Sequence, residues 1–385
     1  MKLTAKWISN PETQMLFQAF EDAGFALYFV GGCVRNAILG YVVADIDLAT
    51  SATPDEMIEI AKERGMRILP TGIEHGTMTF VVKGSSFEVT TFRADIETDG
   101  RHATVAFSTR IEEDAKRRDL TMNALYADAH GVVIDPLDGM QDLEAQHVRF
   151  IGDPETRIQE DYLRILRFFR FFATYGDLEN GIDPEGLAAC AAHADGLARV
   201  SKERIGQEFR KILAADDPSQ AVSAMAASLV LSQCLVGADA KALPRLVHFE
   251  NIYGSEIDPI LRLAVLVQDA PRDALRLSRA ETRAFERFRQ FAVDHHSGFD
   301  LGYQLGKTAG IQAVLLRAAL TEIEPNKGIF QEIEAGATAI FPIKAQDLLH
   351  AYQGPELGIC LKKLERSWIT SQGQKSKDEL LSELR

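Results

Sequence analysis

No stretch of this chain stays apolar long enough to cross a membrane, and none of its four cysteines (Cys33, Cys190, Cys234, Cys360) lies near another in sequence. The first absence excludes a spanning helix. The second leaves neither a disulfide framework nor the paired spacing of a structural zinc site. An excess of positive charge is missing too: 42 Lys and Arg stand against 56 Asp and Glu, a net charge of −14. Non-specific nucleic-acid binding comes chiefly from neutralising phosphates, so any such contact must be local. The opening residues Met1 to Thr13 carry neither an apolar signal core nor an arginine-rich, acid-poor segment, so a cytoplasmic location is expected. No obligate protein partner is evident. The 46% apolar and 25% charged content suits a folded globular protein, and 385 residues are too many for one core.

Between Phe29 and Ala49 a glycine pair, Gly31-Gly32, is followed by Arg35 and then by Asp45-Ile-Asp47. Leu27–Val30 and Val42–Ala49 read as strands, with a helix from Cys33 to Leu39 between them. On a strand Asp45 and Asp47 share a face, and like charges so close call for a cation between them. Oxygen-only ligands suit a hard ion such as Mg²⁺, which is usually shared with substrate phosphates. The glycine pair lets backbone approach a phosphate, and the helix N-terminus behind it favours an anion. A metal site and a triphosphate site thus stand side by side. Arg35, one turn into the helix, suits a phosphate or a ribose hydroxyl; its plainer role is a surface salt bridge.

Further along, Gly76–Val82 and Phe87–Phe92 alternate as a hairpin closed by Lys83 to Ser86, and Glu88 on its second strand is a candidate third carboxylate, or simply an exposed strand residue. Helices are read at residues 12 to 23 and from Pro54 to Arg64, the latter capped by Thr53. Residues 92 to 107 show little periodicity and read as a mobile loop, followed by a helix Ile111–Arg117 and a strand Gly131–Ile134. Arg117-Arg118-Asp119-Leu-Thr-Met-Asn123 is a dense polar cluster in which two arginines can neutralise a triphosphate.

After Gly152 the signals turn helical. Asp153 and Pro154 open the most periodic segment, with Ile158, Tyr162, Ile165, Phe169 and Phe172 on one face. Asp161 and Arg164 lie three apart on the polar face, either as an intrahelical ion pair or as a base-reading edge. A carboxylate accepts from the amino group of cytosine or adenine while a guanidinium donates to the ring acceptor; uracil and guanine present the opposite order. Arg167 and Arg170 continue along that helix. Helices are also read at Ser201–Leu213 and Pro259–Val267. Arg272, Arg276, Arg279, Arg283 and Arg287, at steps of four, three, four and four, form a stripe suited to an RNA backbone or a solvated helix face. His295-His296 reads as surface, and residues 372 to 385 read as a fraying tail.

Taken together, Gly31-Gly32-x-x-Arg35, Asp45-x-Asp47, Arg93 with Asp99-Gly100-Arg101-His102, Arg117-Arg118-Asp119-Leu-Thr-Met-Asn123-Ala and Glu160-Asp161-x-x-Arg164-x-x-Arg167 resemble, in order, the motifs of class II CCA-adding tRNA nucleotidyltransferases and their bacterial poly(A) polymerase relatives. Ser201-Lys-Glu-Arg204-Ile is a less sharp match. The likeness covers somewhat less than half the chain. It implies an α+β fold: a small mixed-sheet nucleotidyltransferase head, DNA polymerase beta-like, over residues 1–150, then an all-helical neck (151–215), body and tail (216–385) that bind tRNA. It further implies addition of C, C and A to the tRNA 3′ end from CTP and ATP, with Asp45 and Asp47 on Mg²⁺, Gly32, Arg35 and Arg118 on the nucleotide, and Asp161 with Arg164 as protein template. Arg167 and Arg170 would share the nucleotide pocket, and the loop 92–107 would be the element that moves between CTP and ATP. Asn36 departs from the pattern, which has aspartate there. A poly(A) polymerase, an enzyme adding only CC or only A, and a non-catalytic sensor are the alternatives.

Overall fold

The computed structural model describes residues 1–98, 103–294 and 296–384. They divide into two compact units: Met1–Arg204 with Ala227–Gln233, and Ile205–Ala226 with Cys234–Arg385. The expected neck, 151–215, is divided between them: residues 151–204 fall in the first unit and 205–215 in the second.

The first unit is built on a seven-stranded mixed sheet. Its strands are β1 (Leu27–Val30), β2 (Asp47–Thr50), β3 (Arg67–Gly72), β4 (Thr77–Val82), β5 (Ser85–Thr91), β8 (Tyr126–Ala127) and β9 (Val133–Ile134), in the order β3-β4-β5-β2-β1-β8-β9. Only β2 and β5 run parallel, with Asp47 opposite Glu88 and Leu48 opposite Val89. The alternation along β4 and β5 sends Met78, Phe80, Val82, Phe87 and Val89 into the core and leaves Glu88 exposed. Helices Pro11–Asp22 and Pro54–Glu63 flank the sheet as expected. The second opens on a capping box in which Thr53 Oγ1 accepts from the Glu56 amide at 3.4 Å and Glu56 accepts from the Thr53 amide at 2.7 Å.

Five expectations are corrected. The second strand begins at Asp47, not Val42, because β1 leaves the ladder at Val30 and the pairing with β5 starts at Glu88. The hairpin turn is the two residues Lys83 and Gly84, both at positive φ (47° and 91°), which bends the chain tightly enough for Val82 to pair with Ser85. The segment read as an aperiodic loop contains a two-stranded ribbon, β6 (Arg93–Thr98) with β7 (Ala103–Phe107); a register shift between Asp95 and Glu97 erases the period-two pattern that reveals a strand. Residues 99–102 lie outside the described residues. The periodic segment after Asp153 is two helices, Pro154–Glu160 and Leu163–Tyr175, separated by Asp161 in an extended conformation (φ −154°, ψ 104°). Arg164 Nη1 caps the first helix by donating to the Arg157 carbonyl at 2.9 Å, and Asp161 caps the second by accepting from the Leu163 amide at 3.1 Å. Two caps back to back make the break.

The fifth correction lies in the second unit, which is helical. Its final segment is a helix, Lys377–Ser382, started by a Ser376–Glu379 capping box and held by Leu380 in the cluster around Trp368. Elsewhere in this unit, helices Gly298–Leu305 and Lys327–Thr338 touch backbone to backbone: a side-chain carbon at Gly302 would fall 2.0 Å from the Ile333 carbonyl, and one at Gly336 2.0 Å from that of Phe299. Arg262, 1% exposed, pairs with buried Glu250 and donates to the carbonyls of Leu213, Ala215 and Asp216. Among the described residues no helix is long and apolar enough to cross a membrane.

Candidate active site

β1 ends in the core with Phe29 and Val30, and Gly31 then adopts φ 68°, ψ −118°, a conformation closed to residues with a side chain. Its amide donates to the Leu125 carbonyl at 3.0 Å, and its own carbonyl opens the helix Gly32–Leu39 by accepting from the Arg35 amide. Two guanidinium groups close over this turn. A carbon added at Gly31 would lie 3.6 Å from Arg118 Nη1, and one at Gly32 3.7 Å from Arg35 Nη2. The glycines keep the space between backbone and cations clear of side chain.

Arg118 is aimed there by a carboxylate absent from the sequence-read site. Asp114 is buried and accepts from Arg118 Nη2 at 2.9 Å, from Arg117 Nη2 at 2.5 Å and from the Tyr126 hydroxyl at 2.7 Å. Burial opposes its ionisation, but Arg118 and Arg117 outweigh that and hold its carboxyl down at about 2. Asp114 precedes Arg117 and Arg118 by three and four residues, the spacing of helical neighbours, so the signal was present in the sequence.

Asp47 begins β2, Asp45 stands in the irregular segment before it, and Glu88 faces Asp47 across the parallel ladder. Burial raises the Asp47 carboxyl above the usual range; Arg118 lowers it and Asp45 raises it again. Glu88 is likewise raised by burial, then by Asp47 and Asp45. The three carboxylates feel one another, yet among the described residues no three acidic, histidine or cysteine side chains converge closely enough to hold a metal by themselves. Two carboxylates beside an anion cradle are the donor set of an ion that takes its remaining ligands from a phosphate.

Arg35 is buried rather than a surface salt bridge. It donates from Nη1 to Asn123 Oδ1 at 2.5 Å, from Nη2 to the Tyr175 hydroxyl at 2.8 Å, and from Nε and Nη2 to Asn36 Oδ1 at 3.2 and 3.0 Å. Asn36 in turn donates to the Val42 carbonyl at 3.3 Å. Asn123 donates to Asp119 at 2.8 Å, and Asp119, raised by burial but held down at about 2 by Arg167 and Asn123, accepts from Arg167 Nε at 2.5 Å. One hydrogen-bonded chain thus joins Arg35 on the first helix after the glycines to Arg167 and Tyr175 on Leu163–Tyr175. The guanidinium carbon of Arg170 lies 4.4 Å from the Phe171 ring centroid, with those of Arg35 and Arg167 5.0 and 5.5 Å from it.

Asp161 and Arg164 do not pair. Arg164 is held by Glu160 and by the carbonyls of Arg157 and Arg117, at 2.9 and 3.1 Å. Asp161 instead meets Arg204, whose Nη2 and Nη1 donate to Oδ2 and Oδ1 at 2.7 and 3.3 Å. The sequence marks Arg204 within the motif Ser201-Lys-Glu-Arg204-Ile, but no spacing rule pairs it with Asp161, 43 residues away.

The arginine stripe is also divided. Helix Arg272–Leu275 ends at Arg276 in the left-handed region (φ 49°), and Ser278 caps a new helix, Arg279–Val293. Arg279, Arg283 and Arg287 share an exposed face there, while Arg272 and Arg276, also exposed, precede that helix. Asp99 to His102 fall outside the described residues, as does His295; His296 is half-buried, with Nδ1 2.5 Å from Asp300.

Residues 27–149 match the family model of the Poly A polymerase head domain, and residues 181–240 that of the probable RNA and SrmB-binding site of polymerase A. The chain is 34% identical over 387 residues to the mitochondrial CCA tRNA nucleotidyltransferase 1 of Danio rerio, spanning 96% of this chain and 89% of the relative. It is 33% identical over 400 residues to the Homo sapiens protein of the same name, spanning 97% and 92%. Among solved structures, the Bacillus stearothermophilus CCA-adding enzyme in complex with CTP matches with a TM-score of 0.73 at 25% identity, over 98% of each chain. A Thermotoga maritima CCA-adding enzyme complexed with tRNA-CCA shares the fold, with a TM-score of 0.72 at 20% identity over 99% of this chain and 97% of that one.

Proposed function

Since this chain belongs to the CCA tRNA nucleotidyltransferases, we propose that it adds C, C and A in turn to the 3′ end of tRNA, taking the nucleotides from CTP and ATP and releasing pyrophosphate, at the site built around Gly31, Arg118 and Asp47. One observation carries this reading. Arg118 lies against the glycine turn and acts on Asp47, so a triphosphate in the turn would sit within reach of both a fixed guanidinium and the acidic pair.

Oxygen donors from Asp45 and Asp47 next to a phosphate cradle fit Mg²⁺, with Glu88 as their neighbour in register. Bound there, the ion would lower the pKa of the tRNA 3′-hydroxyl and neutralise charge on the departing phosphates. The glycine turn and Arg118 would hold the triphosphate for in-line attack by that hydroxyl on the α-phosphorus, the new phosphodiester forming as the bond to the β-phosphate breaks. Asp114 keeps Arg118 in place and supplies no chemistry itself. Arg35, with four of its five N–H donors engaged, would act chiefly by fixing the turn, and Arg167 and Arg170 would line the base pocket. Asp161 would accept the amino group of cytosine or adenine, with Arg164 on the ring acceptor once released from Glu160. The exposed face of Arg279, Arg283 and Arg287, with Arg272 and Arg276 before it, would meet tRNA backbone.

The test supplies purified protein with tRNA transcripts ending at the discriminator base, at C or at CC, and with each nucleoside triphosphate separately. The reading requires C on the first two and a single A on the third. Long A tracts, arrest at CC or no extension would each contradict it.

A further inference from the structure

Asp161 is fixed before any nucleotide arrives. An ionised carboxylate offers about four lone-pair sites and no donor. Three of the four are taken: Oδ1 accepts from the Leu163 amide at 3.1 Å and from Arg204 Nη1 at 3.3 Å, and Oδ2 accepts from Arg204 Nη2 at 2.7 Å. What remains on Asp161, among the described residues, is one acceptor site on Oδ2. The pair is not sealed off, since the Asp161 and Arg204 side chains are 34% and 50% exposed, so a base can reach it.

We propose that Arg204 is a positioning residue for nucleotide choice: by filling three acceptor sites of Asp161 together with the Leu163 amide, it leaves a single site that takes one N–H donor and turns away a carbonyl. This rests on Asp161 reading the base, as set out above. Cytosine and adenine each bring an exocyclic amino group to that site, whereas uracil and guanine bring an oxygen. The physical point concerns water. A carboxylate free to rotate, with open acceptor sites, binds water, and a water has two O–H donors, one for the carboxylate and one for a second acceptor. A bridging water would let Asp161 tolerate the carbonyl of uracil or guanine. The bidentate fork of Arg204 holds the carboxylate still and occupies the sites where such a water would bind. Lysine, with a compact ammonium and no fork, can fill only part of that role.

The experiment measures kcat/KM on full-length protein for ATP against GTP with a transcript ending in CC, and for CTP against UTP with a transcript ending at the discriminator base. It compares wild type, Arg204→Ala and Arg204→Lys, with thermal melting as a fold check. The alanine variant should lower both discrimination ratios at least tenfold, and lysine should fall between alanine and wild type. Ratios within twofold of wild type in both variants, whatever happens to kcat, would overturn the proposal and reduce Arg204 to structural support. If Arg204→Ala does not fold, the lysine variant alone decides by the same criterion. A wild type that adds neither C nor A would instead sink the functional reading beneath it, and the two failures are told apart by the wild-type lane.

Discussion

The guanidinium carbon of Arg35 lies 4.3 Å from the centroid of the Tyr175 ring while its Nη2 donates to the same residue's hydroxyl at 2.8 Å. The contact spans 140 residues and ties the helix behind the glycine turn to the helix that carries Arg167 and Arg170. Tyr175→Phe leaves the ring and removes two hydrogen bonds, the one accepted from Arg35 and the one donated to Asn36 Oδ1 at 3.1 Å, so urea unfolding should show a loss of about 1–2 kcal/mol. Arg35→Ala strips the acceptors on Asn36 and Asn123 as well, and should cost more than about 2 kcal/mol.

Asp114 gives the first unit a defined acid sensitivity. Its folded-state carboxyl sits at about 2, below the ordinary aspartate value of 3.8, so the stability it contributes is present above pH 4 and is lost as pH falls from there towards 2. That contribution is about 2 kcal/mol at neutral pH. Asp114→Asn should lose it at pH 7 and flatten the fall in stability between pH 4 and 2. Chemical denaturation at a series of pH values reads both effects.

Much of this was legible beforehand, and the failures have a common cause. Phe87, Val89 and Glu88 alternate cleanly, and Thr53 with Glu56 announces a helix start, because each signal is complete within a few residues. The motifs of the candidate site were readable for the same reason, since Gly31-Gly32 and Asp45-x-Asp47 stand in short local spacing. What escaped depends on partners distant in sequence or on caps. The break at Asp161 arises from two local caps inside an apolar period that runs straight through it, and Arg204 reaches Asp161 only because the chain folds back. The ribbon 93–107 was hidden by its register shift.

In the second unit, Gly302 and Gly336 allow two helices to meet at backbone distance. Gly302→Ala should force them apart and destabilise that unit by about 1–3 kcal/mol, although alanine favours the helix itself. A lower melting midpoint for the variant checks this; an unchanged or higher one would contradict the packing.

Charge reversal of Arg279 and Arg283 together should raise the KM for tRNA while leaving that for CTP near its wild-type value. Removing two phosphate contacts should also reduce the slope of log binding constant against log salt by about 2. Filter binding at several salt concentrations gives the slope directly.

The most direct test of the account is single-turnover incorporation of one C by Asp47→Asn protein, with folding verified by the same melting curve as wild type. The amide keeps the shape of Asp47 and removes the charge that would hold the ion beside the glycine turn, so incorporation should fall by at least a thousandfold, corresponding to about 4 kcal/mol of lost transition-state stabilisation. Incorporation within tenfold of wild type would contradict the account.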